Sequence, residues 1–161
     1  MPERTFVFAD LAGFTALTEA HGDIAAADLA LRFEQLSRDA LCERGTLVKT
    51  IGDAVLVATL DPVAALNFAC KLDDAVRNEV DFPLIRVGLH HGDAVRRGED
   101  WFGTAVNTAA RVAALAGLAQ TLCTEEVART AEGRGHGVEH LGRPMPTGGP
   151  RNDAPTGRTA S

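Results

Sequence analysis

Apolar residues follow two different periods along this chain, one typical of strands and one typical of helices. Residues 54–58 (Ala-Val-Leu-Val-Ala) are apolar at every position, which is typical of a central strand covered on both faces. Between Asp23 and Gly45 apolar residues recur at helical spacing, and Asp61-Pro62 predicts the start of a second long helix. The pattern also predicts strands at 5–9, 46–51, 84–90, 121–123 and 138–141, and helices at 103–116 and 124–131.

Two Gly-Asp dipeptides predict tight turns between these strands. Gly52-Asp53 lies between two β-type runs, as in a hairpin, and Gly92-Asp93 turns the chain toward another hairpin at Ala94. Hairpins exclude an all-parallel sheet. The predicted fold class is therefore α+β, with helices packed on a mixed or antiparallel sheet.

Length and composition are those of a single globular domain. The chain has 161 residues, of which 45% are hydrophobic and 24% charged, which is enough for a sizeable core. From about Gly142 onward most residues are Pro, Gly, Arg, Thr and Asp, which bury too little apolar surface to offset the entropy of ordering. We therefore predict one domain over residues 1–142 and a disordered tail over residues 143–161.

Charge and cysteine content exclude several classes of protein. The formal net charge of −6 disfavours a protein that holds nucleic acid through its phosphates. Cys42, Cys70 and Cys123 are odd in number and widely spaced, so we expect buried reduced thiols rather than disulfides or a metal site. The N terminus lacks a signal pattern, and no uncharged run reaches the roughly 18 residues that span a bilayer. The expected location is the cytoplasm, without membrane contact.

The segment after the first predicted strand has the order strand, tight turn, helix. Asp10 ends the strand, and Ala12-Gly13 leads into a helix that starts at Phe14-Thr15. The first backbone N–H groups of a helix form a natural phosphate site, and Gly13 allows a ligand to approach closely. The sequence therefore predicts a phosphate-binding backbone at these four residues.

A lysine and a carboxylate stand close together in the sequence around the first hairpin turn. Lys49 precedes Asp53 by four residues, and Lys71 is the only other lysine in this Arg-rich chain. Such a choice indicates a requirement for a compact, single-point donor at position 49. The alternative is an ordinary surface turn preceded by a solvated lysine.

The last long predicted helix carries polar residues opposite its apolar stripe. Asn107 and Arg111 lie one turn apart, and Asp100, Trp101 and Phe102 stand just before the helix. Two exposed aromatic residues beside a polar face indicate a covered surface such as an interface, whereas a solvated helix face is the alternative. The apolar stripe consists of Ala105, Ala109, Val112, Ala113 and Ala116.

Two adjacent histidines, His90 and His91, lie on a predicted strand. Neighbouring strand residues face opposite ways, so the two side chains cannot easily share a metal ion. We expect structural or solvated roles for both.

Several short motifs stand in a specific order and spacing along the chain. They are Phe-Ala-Asp-Leu-Ala-Gly-Phe-Thr at 8–15, Lys-Thr-Ile-Gly-Asp at 49–53, Gly-Leu-His-His-Gly at 88–92, Asp-Trp-Phe-Gly at 100–103, and Asn107 with Arg111. Together they resemble the catalytic domain of class III nucleotidyl cyclases, in particular the compact mycobacterial-type adenylyl cyclase domains. The similarity extends over about residues 5–141 and implies a ferredoxin-like βααββαβ core.

The resemblance implies a metal site and a base-reading pair. Asp10 and Asp53 match the carboxylates that hold two Mg²⁺ or Mn²⁺ ions per site, which clamp an attacking and a leaving oxygen. Lys49 and Asp100 match the donor and acceptor that read adenine through N1 and N6. Family members that use GTP typically carry Glu and a small residue at these places. ATP is therefore the implied substrate.

The resemblance also implies transition-state residues and an assembly. Asn107 and Arg111 match the residues that orient the ribose and neutralise charge growing on the α-phosphate. In the family, the metal carboxylates come from one subunit and the other site residues from its partner, which implies a homodimer with two composite sites. The implied activity is that of an adenylate cyclase, which converts ATP to 3′,5′-cyclic AMP and pyrophosphate.

One region departs from the family pattern. Relatives usually continue into a Lys-Gly segment and a closing strand, whereas residues 143–149 here are Arg-Pro-Met-Pro-Thr-Gly-Gly. In some relatives a lysine helps to hold the terminal phosphates, and it has no counterpart here. Either Arg143 or Arg151 substitutes for it, or triphosphate affinity, pairing of the last strand and activity are all weakened. The alternative function is thus a catalytically weak or inactive nucleotide-binding and dimerisation module. A diguanylate cyclase relative is disfavoured, because residues 51–55 (Ile-Gly-Asp-Ala-Val) lack its Gly-Gly-Asp/Glu-Glu-Phe motif.

Overall fold

The computed structural model describes residues 2–133, 137–140 and 157–160, with side chains through residue 133. Helices and strands follow one another in an order that mixes hairpins with crossovers. The elements are β1 (Glu3–Leu11), α1 (Phe14–Ala40), β2 (Gly45–Ile51), β3 (Ala54–Thr59), α2 (Pro62–Arg77), β4 (Ile85–Asp93), β5 (Val95–Arg97), β6 (Asp100–Phe102), α3 (Thr104–Leu115), β7 (Thr121–Cys123), α4 (Glu125–Gly133), β8 (Gly137–His140) and β9 (Gly157–Ala160).

The main sheet is mixed and has the strand order β2-β3-β1-β4-β7-β9-β8. Strands β4 and β7 pair in parallel through the α3 crossover, and the other pairings are antiparallel. Strands β5 and β6 form a separate two-stranded ribbon. The structure confirms the predicted α+β class with helices on a mixed sheet.

Strand β1 lies at the centre and is covered on both faces. Val7 and Ala9 belong to the larger core, which also contains Phe33 of α1 and Leu66 of α2. Phe6 belongs to a second core on the opposite face, built mainly by α3 and the ribbon. Strand β3 is likewise buried along nearly all its length, which confirms the expectation for residues 54–58.

The helix starts follow their predicted caps. The Asp61 carboxylate accepts a hydrogen bond from the Ala64 N–H at 2.9 Å, and Pro62 occupies the first turn of α2. Helix α1 is interrupted at Gly22, whose φ of 85° is not helical, so a new helical segment starts beside Asp23 as predicted. This segment ends at Ala40, five residues before the predicted end at Gly45, because Leu41 is already extended.

The first predicted hairpin is confirmed and the second is wrong. Ile51 pairs with Ala54 across the Gly52-Asp53 turn, where Gly52 has a φ of 60°. Residues 92–93 are instead extended parts of β4, because the first residues of β1 continue the ladder opposite them. The chain reverses at Gly98, between β5 and β6.

The prediction of a disordered tail is wrong for residues 157–160. They form β9, which pairs with β7 on one side and β8 on the other. Backbone pairing between two open strand edges requires no large apolar side chain, so composition alone did not reveal this strand. Residues 143–156 and 161 lie outside the described part of the chain. None of the described helices combines the length and the apolar character that a membrane crossing requires.

Helix α3 packs unusually close to β4 at Gly88. A Cβ atom at this position would lie 2.2 Å from the Ala113 backbone nitrogen and 2.7 Å from the Ala109 carbonyl oxygen. Both contacts involve helix backbone, which cannot move without displacing α3. Only glycine allows this approach, and the small residues of α3 provide the matching surface.

We predict that Gly88→Ala will lower the free energy of unfolding by at least about 3 kcal/mol, the upper range for an overpacked core. The matched control is Gly133→Ala, where an added Cβ would meet nothing within 4 Å. Urea denaturation followed by circular dichroism provides the measurement. Equal midpoints for the two variants would contradict the proposed backbone clash.

Candidate active site

Two carboxylates meet at one end of the main sheet. Asp10 lies near the end of β1, opposite Ala54 in β3, and Asp53 occupies the adjoining β2–β3 turn. The Leu11 N–H donates to the Asp53 carbonyl oxygen at 3.3 Å, which ties the turn to β1. The two residues, 43 positions apart in the sequence, are thus brought together as the metal-site prediction requires.

The environment of Asp10 combines burial with two charges of opposite sign. Burial raises the pKa of the Asp10 carboxyl, whereas Arg86 opposes this rise by hydrogen bonding and by its positive charge. The negative charge of Asp53 raises the same pKa further, which indicates that the two carboxylates interact electrostatically. The positive charge of Arg86 thus favours the ionised form of Asp10, against the effects of burial and of Asp53.

Arg86 is a site residue that the sequence reasoning missed. Its Nε and Nη2 atoms donate to Oδ1 and Oδ2 of Asp10 at 3.1 and 3.0 Å, in a bidentate pair across β1 and β4. The available signal was a single arginine in an otherwise apolar run, residues 84–89 (Leu-Ile-Arg-Val-Gly-Leu). Its partner depends on the antiparallel register of β1 and β4, which sequence motifs do not specify.

The two carboxylates fit a divalent cation that is shared with a phosphate ligand. Mg²⁺ prefers oxygen donors and is commonly bound by one or two carboxylates together with water and substrate phosphates. Among the described residues, no cluster of three or more His, Cys, Asp or Glu side chains offers a protein-only metal cage. Asp10 and Asp53 therefore fit a cation site that a phosphate ligand would complete.

The predicted base-reading pair is also assembled. Lys49 Nζ lies 3.0 Å from Asp100 Oδ2, and both side chains remain about one-third exposed. The Lys49 hydrogen bond lowers the pKa of the Asp100 carboxyl, and the Trp101 N–H, which donates to Asp100 Oδ1 at 2.8 Å, lowers it further. This ion pair joins β2 to β6. It therefore disfavours the alternative that Lys49 is an ordinary solvated residue at the end of a strand.

The polar face of α3 points away from the sheet. Asn107 and Arg111 are both exposed, while Ala109 and Val112 are buried against the sheet. Of the aromatic residues just before the helix, only Phe102 is exposed, at 51%. Trp101 is 7% exposed and belongs to the core, which corrects the expectation of two exposed aromatics.

The backbone that is predicted to bind phosphate lies at the start of α1, and one of its N–H groups already has a partner. Gly13 adopts a left-handed conformation, with a φ of 76°, and the first intrahelical bond runs from the Leu17 N–H to the Gly13 carbonyl. The N–H groups of Phe14 and Thr15 precede this bond and have no acceptor within the helix. The Ala12 N–H already donates to the Leu84 carbonyl at 2.9 Å, so Ala12 does not present a donor here.

The two histidines on β4 have separate hydrogen-bond partners. His90 Nδ1 lies 2.9 Å from Thr124 Oγ1, and His91 Nδ1 lies 2.7 Å from Thr5 Oγ1. These contacts are consistent with the structural roles expected for both.

Comparison with known proteins places this arrangement in a family. Residues 1–151 match the model of the adenylate and guanylate cyclase catalytic domain. The chain is 40% identical over 123 residues to a pH-sensitive adenylate cyclase of Mycobacterium tuberculosis, covering 76% of this chain and 31% of that protein. An adenylate cyclase of Streptomyces coelicolor is 38% identical over 130 residues, covering 78% of this chain and 34% of that protein.

The solved structures agree at the level of the fold. An adenylate cyclase structure from Trypanosoma brucei, in its monomeric state, superposes with a TM-score of 0.85 at 21% identity, covering 99% of this chain and 90% of that one. The chain belongs to the adenylate and guanylate cyclase catalytic domain family, as the resemblance implied. It spans about a third of the length of the curated relatives described above.

We predict that Lys49→Met will raise the pKa of Asp100, because it removes the Lys49 hydrogen bond, which is the largest cause of the lowered pKa. The pKa of Asp100 is lower in the folded state than in the unfolded state. The ion pair therefore stabilises the fold at pH values above the unfolded-state pKa of Asp. This contribution is lost as the pH falls through the lowered pKa. Carboxyl ¹³C NMR titration of Asp100 provides the measurement, with Lys71→Met as the control. An unchanged Asp100 pKa in Lys49→Met would contradict the observed ion pair.

Proposed function

We propose that this chain is the catalytic domain of an adenylate cyclase, which converts ATP to 3′,5′-cyclic AMP and pyrophosphate in a homodimer with two composite sites. The single observation that carries the proposal is the contact of 3.0 Å between Lys49 Nζ and Asp100 Oδ2. It presents a donor and an acceptor side by side at a partly exposed position. Membership in the cyclase family supports the reaction class.

The Lys49–Asp100 pair is complementary to adenine. N1 of adenine accepts a hydrogen bond, which Lys49 donates, and N6 donates one, which Asp100 accepts. Guanine reverses this polarity and leaves both side chains without a partner, and such unpaired groups permit discrimination on the order of 10⁴. Lys49 and Asp100 are hydrogen-bond partners of each other, so base binding would exchange one set of hydrogen bonds for another.

Asp10 and Asp53 would hold two Mg²⁺ or Mn²⁺ ions together with the triphosphate. When bound, such ions stabilise negative charge on the attacking 3′-oxygen and on the departing pyrophosphate. Arg86 is ion-paired with Asp10, so it places a positive charge beside the proposed ion site. Arg86 is thus a phosphate-binding candidate within the described residues, whereas Arg143 and Arg151 lie outside them.

Asn107 and Arg111 would act on the nucleotide bound to the metal site of the partner subunit. Their exposed positions on α3, opposite the face that packs on the sheet, support this arrangement. The Asn107 amide would orient the ribose, and the Arg111 guanidinium would stabilise charge developing on the α-phosphate. A chain that carries both halves of the site can form two equivalent sites in a symmetric dimer.

The direct test is formation of cyclic AMP from ATP and Mn²⁺ by the purified chain, with GTP assayed in parallel. We expect cyclic AMP from ATP, much less product from GTP, and a loss of at least about 10²-fold in Asp53→Asn, comparable to removal of other charge-stabilising groups. Asp28→Asn, on the exposed side of α1, is the matched control and should retain activity. ATP-dependent thermal stabilisation without product, in the parent chain, would favour the inactive binding module instead.

A mixing experiment tests the shared sites. Asp53→Asn and Arg111→Ala are each expected to be inactive, and an equal mixture should recover about a quarter of the parental activity, because half of the dimers are mixed and each has one intact site. Asp53→Asn is preferable to Asp10→Ala, which would leave Arg86 without its carboxylate. In a mixture of Asp53→Asn with Asp10→Asn, the metal half of each subunit is defective. Neither composite site of a mixed dimer is then intact, so activity should not recover. Absence of recovery in the first mixture, despite demonstrated heterodimers, would refute composite sites.

A further inference from the structure

The ribbon formed by β5 and β6 carries Asp100 but is not part of the main sheet. Each of its strands has three residues, and the backbone bond that precedes it runs from the Ala94 N–H to the Pro2 carbonyl at 3.2 Å. So short a ribbon is marginally stable by itself. Its position relative to Lys49 therefore depends on side-chain packing.

Trp101 is the main anchor of this ribbon. Its ring is 7% exposed and lies edge-on to Phe6 of β1, with 5.7 Å between the ring centroids. Two guanidinium groups also lie over the ring, with the Arg4 Cζ at 5.4 Å and the Arg96 Cζ at 5.9 Å from its centroid. We refer to Arg4, Trp101 and Arg96 together as the Trp101 clamp.

The clamp is coupled directly to the base-reading carboxylate. Trp101 follows Asp100 in β6, and its backbone N–H holds Asp100 Oδ1 at 2.8 Å, which leaves Oδ2 to Lys49. A displacement of Trp101 therefore moves Asp100 relative to Lys49. Neighbouring strand residues face opposite ways. Trp101 therefore packs on one face of the ribbon, while the Asp100 side chain lies on the other.

Arg4 is the part of the clamp that comes from outside the ribbon. It lies at the start of β1 and is half-buried, beside a cavity of about 390 Å³ that Arg44, Arg96 and Trp101 also line. The cavity gives the Arg4 side chain room to leave the ring. Two contacts hold its guanidinium: the face of the Trp101 ring, and the Glu3 carbonyl, to which Nη1 donates at 2.8 Å.

We infer that Arg4 is a specificity-determining positioning residue, which acts through Trp101 to keep Asp100 in the geometry that distinguishes adenine from guanine. This inference rests on the proposed function, because it assigns base reading to Lys49 and Asp100. Arg4 itself contacts neither of these side chains in the contacts described above. The structure thereby links the first strand of the domain to nucleotide choice.

The experiment compares Arg4→Met, Arg4→Lys and the control Arg38→Met, an exposed arginine of α1 that pairs with Glu34. Trp101 is the only tryptophan of the chain, so acrylamide quenching of intrinsic fluorescence reports on the clamp alone. Selectivity is measured as the ratio of affinities for 3′-deoxy-ATP and 3′-deoxy-GTP in the presence of Mn²⁺. These nucleotides lack the attacking hydroxyl, so the measurement does not require turnover.

We expect Arg4→Met to increase quenching of Trp101 and to lower the selectivity ratio about three- to tenfold, which matches the usual strength of a cation–aromatic contact. Arg4→Lys should retain most of both properties, because its ammonium group can occupy the same side of the ring. Arg38→Met should match the parent protein. A purely structural role would weaken binding of both nucleotides equally and leave their ratio unchanged.

Two results would overturn the inference: unchanged quenching in Arg4→Met, or increased quenching with an unchanged ratio. The cyclase proposal fails separately. If the parent chain binds 3′-deoxy-ATP selectively but forms no cyclic AMP from ATP, the activity is rejected, while a lowered ratio in Arg4→Met still supports the positioning role. A parent chain without any preference between the two analogues would reject base reading by Lys49 and Asp100, and the inference with it.

Discussion

The close contact between α3 and β4 at Gly88 is the constraint on which the rest of the site depends. The backbone of α3 occupies the space that a Cβ at position 88 would fill. Helix α3 therefore cannot rotate or move away without losing its packing against β4. This contact determines which face of α3 is buried, and therefore places Asn107 and Arg111 on the exposed face. It also positions the start of α3, which follows the ribbon directly through Gly103.

Strand β1 supports both groups of site residues that one subunit contributes to the proposed composite sites. Its last residues bring Asp10 beside the turn that contains Asp53, and its first residues bring Arg4 and Phe6 to Trp101. Because β1 is buried on both faces and paired on both edges, it is a rigid support for both ends. The proposed metal carboxylates and the proposed base-reading ribbon are thus held by the same strand.

Four charged residues of the proposed site form two ion pairs. In a chain with a net charge of −6, Arg86 partners Asp10 and Lys49 partners Asp100. Each pair remains partly exposed, so neither pays the full desolvation cost of a buried ion pair. A nucleotide would replace these internal contacts with its own, which favours ligands that match both charge and hydrogen-bond polarity.

Local sequence determined the elements, their order and most of the chemistry. Neighbouring residues alone specify three features: the apolar run of β3, the Asp61-Pro62 start of α2 and the Gly52-Asp53 turn. The sequence therefore predicts them without a structure. The order and spacing of short motifs was sufficient to indicate the cyclase family and to pair Asp10 with Asp53 and Lys49 with Asp100. Only the tertiary structure decided the features that depend on strand register and on pairing over long sequence distances. These are the Arg86 contact with Asp10, the extended course of β4 through residues 92–93, the burial of Trp101 between two arginines, and the insertion of β9. A short motif does not encode such contacts, because each is set by where a distant segment of the chain comes to lie.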